Sequence, residues 1–579
     1  MKLLDITIKN FRSINGEKTK LTFANSDIIF VLGQNNAGKS SLLSAYEYLI
    51  TPKQKALISD FFRFDESNTV EILATFLKDE GDDEIFEKKG FNKWVDSNNQ
   101  IKFRKTWLKA NEEGQKETFD PEINDYVLNG FGGLEQHFTK EAPTPVRIPA
   151  ILTPSELTKF IKETVQKSVL KTLKDDEAEA YQRVINEIEN LHNRILSKDS
   201  LSQKTLQANN NFQKIFPELT LEISQIEGNQ FDITSSLEKE FSVVVKDAKF
   251  PDTRQDFSHH GHGVIRQTIF NFLGVVKNEL PLDEIKKNNR KDFLILFEEP
   301  EIYLHPKAVK ALRKVLYELC SNSCFQILCA SHSPSLIDIA KPQTSIVRMV
   351  RDKNRTTSLY QVGHDIFSST EEQKNMVQMI NRFDPNICES FFADEVILVE
   401  GDTETIIIRE IIEKKYSNRD VFVTNTGSKN NIPFFQKIFT HFNIKQHIIH
   451  DSDTRYLYDT KRNEDKSKIL VTKNNNDGSQ KKNPSWKLNE EIWAEIVNAN
   501  ELYPNLAQRF VSIYDFESSN NYKYDLEKGK PLSAYDYVKI ESNFENSRIY
   551  EIIKMIMGDL EIDSNYSSEE LEKMVKEPL

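Results

Sequence analysis

Gly33-Gln34-Asn35-Asn36-Ala37-Gly38-Lys39-Ser40 is a complete phosphate-binding loop, with glycines at both ends and a lysine followed by a hydroxyl residue. An apolar run at 28–32 predicts a buried strand directly before it, and apolar residues at helical spacing after it predict a helix that ends before Pro52. This loop requires that context, because its backbone N–H groups and the helix start then face the same phosphates. The sequence therefore predicts a nucleotide site in an α/β fold.

Residues of the loop have different expected roles. Lys39 is expected to reach the β- and γ-phosphates of the nucleotide, and the Ser40 hydroxyl is expected to bind magnesium. The expected nucleotide ligands in the loop and at the start of the helix are Gly33, Asn35, Asn36, Ala37, Gly38, Lys39, Ser40 and Ser41. ATP with Mg²⁺, or Mn²⁺, is the cofactor that this pattern predicts.

A second apolar strand, at 293–297, ends in two acidic residues. Glu298 is the expected acid on the metal side and a cofactor ligand, and Glu299 is the expected base or water-positioning residue for hydrolysis. His332 follows a further predicted strand, where a histidine taken alone is more often structural. The phosphate loop upstream makes these acids candidates for nucleotide hydrolysis.

Four more acidic residues mark a separate site. Glu400 ends one predicted strand, Glu404 lies in the first turn of the next helix, and Asp451 and Asp453 follow another strand. The carboxyl ends of parallel strands are neighbours, so these oxygens are expected to converge on hard divalent cations. Two such ions about 4 Å apart can activate water and stabilise a departing oxygen. The pattern predicts metal-dependent phosphodiester chemistry.

Bulk composition limits the function classes. The 579 residues exceed a single core, while 38% hydrophobic and 28% charged residues are typical of a soluble protein. No apolar run approaches the roughly 20 residues that span a bilayer, so a cytoplasmic location without a membrane partner is expected. The net charge of -13 argues against a generally basic surface, although the stretch 461–482 is locally basic. The four cysteines lack the spacing of a zinc site.

The order of elements in the first half resembles the ATPase head of the ABC class, found in chromosome-maintenance and double-strand-repair proteins. Phe11-Arg12-Ser13 is similar to the opening pattern of that class, and His332 falls at its switch histidine, a catalytic position. The stretch 258–263 lies where the signature loop is expected but departs from the usual Leu-Ser-Gly-Gly-Gln. The resemblance implies that Ser258 and Gly261 contact nucleotide bound to a partner protomer.

The second half resembles the Toprim domain of topoisomerases, primases and certain nucleases, whose signature is a strand-end glutamate followed by an Asp-x-Asp pair. Neither a topoisomerase tyrosine domain nor a zinc module is evident, which leaves water as the expected nucleophile. An ABC head followed by Toprim resembles the OLD family of ATP-powered nucleases, including those of Gabija-type phage defence. That resemblance implies Asp515 or Glu517 as a later metal ligand and Lys530 as a catalytic cation.

The predicted fold class is therefore α/β, an ABC-type ATPase domain with a helical insertion followed by a parallel-sheet Toprim domain. The ATPase domain is expected at 1–155 and 216–345, interrupted by the insertion at 156–215. A connection at 346–390 leads to the nuclease domain at 391–579. The insertion is interpreted either as a dimerisation arm or as a helical region packed on its parent domain.

The favoured function is an ATP-regulated, metal-dependent DNA endonuclease of bacterial antiphage defence, with Glu400 at its catalytic centre. One alternative is a repair or chromosome-maintenance ATPase whose Toprim domain binds DNA without cutting it. Another is an effector restrained by a partner, such as a helicase-like protein or a reverse transcriptase with its nucleic acid. A composite ATP site implies a homo-oligomer, either a dimer or a tetramer. The sequence leaves open whether ATP activates or inhibits.

Overall fold

The chain divides into two units, Met1–Leu359 and Tyr360–Leu579. The computed structural model describes residues 1–24, 26–79, 82–131, 138–139, 141–151, 153–158, 206, 209–210, 212–214, 217–225, 241–247, 254–255, 257–261, 263–265, 268, 292–320, 325–338, 344–362, 389–462, 468–561 and 565–576. Most of the expected helical insertion, and much of the expected connection, lie outside the described residues. The boundary between the units falls within the connection expected at 346–390.

Strands dominate the described part of the first unit. They are β1 (Lys2–Lys9), β2 (Lys20–Thr22), β3 (Ile28–Leu32), β4 (Val70–Leu77), β5 (Gln100–Trp107), β6 (Gln115–Asp120), β7 (Asp125–Leu128), β8 (Thr144–Ile148), β9 (Leu219–Gln225), β10 (Phe241–Asp247), β11 (Arg254–Gln255), β12 (Phe293–Glu298), β13 (Phe325–Ala330), β14 (Thr344–Arg351) and β15 (Thr357–Val362). The helices are α1 (Lys39–Ile50), α2 (Asp83–Lys89) and α3 (Pro306–Cys320).

The phosphate loop leaves the centre of a largely parallel sheet with the order β15-β14-β3-β13-β12-β8. Strand β3 is parallel to both β13 and β14, and β12 is parallel to β13 and β8. Every residue of β3 is buried, as its apolar sequence predicts for a strand covered on both faces. This topology brings the carboxyl ends of β3, β12 and β13 to one edge, where the candidate nucleotide residues lie.

An antiparallel sheet with the order β2-β1-β4-β5-β6-β7 packs against the same core. Aromatic rings fill its interior, and the rings of Phe131 and Phe138 stack with centroids 4.6 Å apart. Lys105 of β5 is buried, and its ammonium donates to the carbonyls of Tyr48 and Thr51 at the carboxyl end of α1. The lysine thereby ties this sheet to the helix that follows the phosphate loop. A smaller sheet has the order β11-β10-β9.

The second unit alternates strands and helices as its sequence predicts. The strands are β16 (Glu395–Val399), β17 (Phe422–Asn425), β18 (Lys445–Asp451), β19 (Tyr458–Arg462), β20 (Lys468–Thr472) and β21 (Ala507–Ser512). The helices are α4 (Asp402–Lys415), α5 (Ile432–His441), α6 (Pro484–Leu502), α7 (Phe516–Ser519), α8 (Lys530–Lys539), α9 (Glu541–Phe544), α10 (Arg548–Met557) and α11 (Ser568–Met574).

A parallel sheet with the order β17-β16-β18-β21 forms the centre of this unit. Isoleucines of α4 are buried against it, including Ile407, Ile408 and Ile411. Because all four strands run the same way, Glu400 after β16 and Asp451 at the end of β18 lie at the same edge of the sheet.

No helix in the described part of the chain is long and apolar enough to cross a membrane. Cys320 and Cys329 are buried, as is common for cysteines that pack as small apolar side chains. The other two cysteines, Cys324 and Cys388, lie outside the described residues.

Candidate functional site

The phosphate loop has a backbone that only glycine tolerates at its two ends. Gly33 has φ 154° and Gly38 has φ 97°, both in the region that disfavours side chains. A Cβ atom on Gly33 would lie 2.6 Å from the Met349 carbonyl oxygen, and one on Gly38 would lie 2.7 Å from the Ser13 hydroxyl. Helix α1 begins at Lys39, so its first N–H groups face the space in front of the loop.

Lys39 is buried with its ammonium directed back at the loop. The ammonium donates to the carbonyls of Gly33 (2.8 Å) and Gln34 (3.1 Å). Burial lowers the pKa of Lys39, and the carboxylates of Glu299 and Glu301 oppose that shift. The lysine therefore stands between the loop and the acids at the end of β12.

A cavity of about 950 Å³ opens in front of this loop, within the size range of small-molecule sites. Phosphate-loop residues form one wall, residues 59 and 61–64 form a second, and the turn between β14 and β15 forms a third. Its charged lining residues are Arg12, Lys39, Arg63, Glu299, Arg351 and Arg355. The guanidinium of Arg351 donates to the Asn36 carbonyl over 3.2 Å and so supports the loop from the turn. The lining carries more cations than acids, which suits phosphates.

The two acids at the end of β12 point to different places. Glu299 lines the cavity, and its carboxylate lies 3.6 Å from the His332 imidazole. Burial lowers the pKa of His332, and the Lys39 ammonium lowers it further, so the imidazole is neutral near neutral pH. Glu298 does not line the cavity, and its carboxylate accepts a 2.5 Å bond from Arg147. The role of Glu298 as a magnesium ligand stays a prediction.

Sequence reasoning missed Arg147, which lies on β8 directly opposite Leu296 of β12. Its guanidinium binds Glu298 and, over 3.2 Å, Glu47 of α1. No local motif surrounds this arginine, and only the pairing of β8 with β12 places it at the acid. Sequence reasoning also gave no role to Glu301, whose carboxylate accepts from the Ser331 hydroxyl (2.9 Å) and the His332 N–H (2.6 Å).

Ser258 and Gly261 have surroundings of their own. Ser258 belongs to a single 3₁₀ turn, Phe257–His259, and a Cβ atom on Gly261 would meet no atom within 4 Å. Neither residue lines the nucleotide cavity of its own chain. Their contact with nucleotide on a partner protomer stays a prediction.

The second unit has an acidic pocket of about 470 Å³ at the carboxyl edge of its parallel sheet. We refer to it as the acidic pocket. The charged residues that line it are Glu400, Asp402, Glu404, Lys429, Asp451, Asp453, Glu517 and Lys530. The fold therefore brings together six of the predicted residues, which lie as far as 130 positions apart by their numbers. Asp402 and Lys429 were not predicted.

Burial and mutual repulsion shape the acidity of this pocket. Burial, with neighbouring carboxylates adding to it, raises the pKa of Glu400 to about 7 and that of Asp451 to about 9. Burial also raises the pKa of Glu404, to which Glu517 contributes. Carboxylates in such a cluster resist ionisation until a cation compensates their charge. The backbone N–H of Asp451 donates to Glu400 over 2.7 Å and orients that carboxylate.

Among the described residues that line the acidic pocket, Lys429 is the one buried cation. Only 5% of its surface is exposed. Its ammonium donates to Oδ2 of Asp453 (2.7 Å) and to the backbone carbonyl of Asp451. The residue follows a turn made by Gly427, whose φ is 72°. The sequence signal that could have pointed to Lys429 is the glycine-containing turn at 425–428, which ends directly before it.

Of the three residues predicted late in the chain, two line the acidic pocket and one does not. Lys530 begins α8, lines the acidic pocket and lies 2.9 Å from the Glu517 carboxylate. Asp515 does not line the pocket; its carboxylate caps α7 by accepting from the Ser518 N–H over 2.7 Å. The fold thus brings Glu517 and Lys530 to the other acids and leaves Asp515 at a helix start.

Donor chemistry in the acidic pocket fits a hard divalent cation, because carboxylate oxygens are the ligands that Mg²⁺ and Mn²⁺ prefer. In the described ranges of the chain, however, no three acidic, histidine or cysteine side chains converge closely enough to hold an ion as they stand. Binding a cation there therefore requires carboxylates of the pocket to move closer together.

Known proteins share both halves of this arrangement. The model of the AAA ATPase domain matches residues 1–144 and 153–337, and that of the Overcoming lysogenization defect protein-like TOPRIM domain matches 391–453. The Old nuclease of Escherichia phage P2 is 24% identical over 78% of this chain and 77% of its own length. Endonuclease GajA of Bacillus cereus (strain VD045) is 23% identical over 74% of this chain and 71% of its own.

A solved Smc head domain from Pyrococcus furiosus, 14% identical, covers 63% of this chain and 97% of its own length with a TM-score of 0.40. The prediction of an ATPase domain followed by a Toprim domain is confirmed by the two family models. The chain belongs to the AAA ATPase domain family and joins that domain to a TOPRIM domain of the Overcoming lysogenization defect protein-like type.

Proposed function

We propose that the protein is a divalent-metal-dependent DNA endonuclease whose activity is controlled by nucleotide bound to its first unit. One observation carries this proposal: the acidic pocket gathers Glu400, Glu404, Asp451 and Asp453, from the ends of β16 and β18 and the first turn of α4, around one space. The relatives named Old nuclease and endonuclease GajA support the same reaction class. Hydrolysis of a phosphodiester bond by water is the reaction that this donor set suits.

Each side chain of the acidic pocket has a role in this proposal. Glu400, Glu404, Asp451 and Asp453, with Glu517, would hold Mg²⁺ or Mn²⁺. Such an ion, when bound, supplies Lewis acidity toward a phosphate oxygen and lowers the pKa of water. Lys530 lies at the pocket wall, where its ammonium can pair with the charge that develops on the phosphate.

Control by ATP is proposed from the cavity in front of the phosphate loop. Its glycines, Lys39 and the cationic lining suit a nucleoside triphosphate. Glu299, whose carboxylate lies 3.6 Å from His332, would orient a water molecule for hydrolysis. Ser258 and Gly261 would complete the site of a partner protomer, which makes a dimer or tetramer the expected state. The direction of the control is an outcome of the experiment below.

The biological setting we propose is bacterial antiphage defence, in the cytoplasm. The similarity to GajA supports it. A partner such as a helicase-like protein, or a reverse transcriptase with its nucleic acid, would supply the trigger in that setting. Co-purification from a native host, followed by identification of the bound protein, tests this part separately.

Cleavage of supercoiled plasmid by the purified protein tests the nuclease. The reaction is run with Mg²⁺ or Mn²⁺ over a series of ATP concentrations, using the wild type and Glu400→Ala. Glu527→Ala is the matched control, because Glu527 is an exposed acid of the same unit that does not line the pocket. We expect cutting by the wild type and the control and none by Glu400→Ala. Binding of plasmid without cutting under every metal condition would favour a non-cleaving repair or chromosome-maintenance role.

A further inference from the structure

The cavity in front of the phosphate loop has a second wall that no sequence motif predicted. It consists of Ser59 and residues 61–64, a segment of short 3₁₀ turns between α1 and β4. Phe61 and Phe62 are buried at 1% and 7% exposure, whereas Phe64 is 69% exposed and lines the same cavity. A large aromatic side chain is thus presented to a polar, cationic cavity instead of to the core.

The backbone that presents this ring is strained. Arg63 has φ 59° and Phe64 has φ 58°, so two consecutive residues with large side chains adopt the left-handed conformation. Such conformations cost free energy for residues other than glycine and recur at ligand-binding sites. Because the Phe64 ring is exposed, burial of the ring does not offset this cost.

Buried Asp60 ties this segment to its neighbours by hydrogen bonds. Its carboxylate accepts from the Arg12 guanidinium (2.9 Å), the Tyr48 hydroxyl (3.0 Å) and the Leu57 N–H (2.8 Å). Tyr48 lies on α1, the helix that starts at the phosphate loop, and Arg12 lines the cavity. Asp60 therefore joins the segment that carries Phe64 both to the cavity lining at Arg12 and to the helix that follows the phosphate loop.

We propose that Phe64 is the platform on which the base of the bound nucleotide stacks while its phosphates occupy the phosphate loop. The inference rests on the proposed nucleotide binding of the first unit and specifies where the base lies. A cavity of about 950 Å³ has room for a base as well as phosphates. Stacking on an aromatic ring tolerates any base, so this contact adds affinity for a nucleotide over bare polyphosphate.

Calorimetric titration with Mg²⁺ and either ATP or tripolyphosphate tests this platform. The proteins compared are the wild type, Phe64→Ala, Phe64→Trp and Ile58→Ala. Ile58 is the matched control, because it is a 44% exposed apolar residue of the neighbouring turn that does not line the cavity. Phe64→Ala is expected to weaken ATP binding about tenfold, the scale of one lost stacking contact, and to leave tripolyphosphate binding unchanged. Phe64→Trp and Ile58→Ala are expected to bind ATP as the wild type does.

Wild-type ATP affinity in Phe64→Ala would overturn the platform, as would an equal loss of ATP and tripolyphosphate binding. If Phe64→Ala and Ile58→Ala both dissociate an oligomer in sedimentation while ATP affinity is kept, the exposed ring belongs to a protein contact. A wild-type protein that binds tripolyphosphate but not ATP would disprove the stacking role of Phe64 while leaving the phosphate site intact. One that binds neither ligand would overturn the nucleotide site itself.

Discussion

The ammonium of Lys429 donates to Oδ2 of Asp453 over 2.7 Å inside the acidic pocket of the second unit. Lys429 is 5% exposed, and it also donates to the backbone carbonyl of Asp451. The lysine therefore compensates part of the negative charge that burial makes unfavourable in the carboxylates around it. Charge compensation by this lysine and by a divalent cation should be partly interchangeable.

Replacing Lys429 by methionine should destabilise the protein most when divalent metal is absent. The substitution leaves the acids without their buried cation, and we expect it to lower the free energy of unfolding by about 2 kcal/mol. This is less than the loss for a fully buried ion pair, because the Asp453 side chain is 33% exposed. Urea unfolding in chelator and in Mg²⁺ measures the effect, with exposed Lys528→Met as control. If Mg²⁺ stabilised the wild type and Lys429→Met equally, the lysine and the cation would not compensate the same negative charge.

Stability should fall as the pH rises when metal is chelated. The folded-state pKa values of Glu400 (about 7) and Asp451 (about 9) lie above the ordinary 4.5 and 3.8, so the folded protein binds these protons more tightly. This contribution is complete below the unfolded pKa values and is lost as the pH rises through the folded ones, at most about 1.4 kcal/mol per pH unit for each proton.

Glu400→Gln removes one of these titrations, so its free energy of unfolding should fall less steeply with pH than that of the wild type. Urea unfolding across this pH range, in chelator, measures the two slopes. Added Mg²⁺ should flatten the wild-type curve, because the cation takes the place of the protons. Identical slopes for both proteins would show that Glu400 keeps an ordinary pKa.

Glu299→Gln should retain ATP binding and lose ATP hydrolysis. Glu299 lines the cavity beside neutral His332, where a carboxylate can orient water, and removing such a base costs about a hundredfold or more in rate. Phosphate release and calorimetric ATP binding are measured on the same preparations. Exposed Glu318→Gln on α3 is the control, and unchanged phosphate release in Glu299→Gln would remove the residue from catalysis.

Arg147→Met should destabilise the first unit through the acids that it leaves behind. Glu298 and Glu47 both pair with this guanidinium and are mostly shielded from water, so its loss should cost about 2 to 3 kcal/mol. The double variant Arg147→Met/Glu298→Gln should recover part of that loss, because one of the two unpaired charges is gone. Urea unfolding of the single and double variants measures the recovery, and strictly additive losses would disprove the coupling.

Local sequence predicted those parts of the molecule whose chemistry lies in one contiguous stretch. The phosphate loop needs glycine at Gly33 and Gly38 for its backbone and Lys39 at the helix start, and all three lie within seven positions. The alternation of strands and helices after Glu395 likewise predicted the parallel sheet, because buried parallel strands are apolar runs and the helices between them have their own period. Glu400 and Asp451 could be assigned to one edge by that topology alone.

The partners of those residues depended on contacts between distant segments. Arg147 meets Glu298 because β8 pairs with β12 across 151 positions, and no pattern around the arginine records that pairing. Lys429 turns into the acidic pocket, and Asp515 turns away to cap a helix, because of side-chain directions that neighbouring elements impose.

The amino-acid sequence by itself thus determined where the phosphate loop and the strand-end carboxylates lie in each half of the protein, since both features are local in the chain. The tertiary structure alone decided which charges face one another, which carboxylates are buried, and that Phe64 lines the same cavity as the phosphate loop. Those properties depend on burial and on distances between segments far apart in the chain, and no single stretch of sequence determines either quantity.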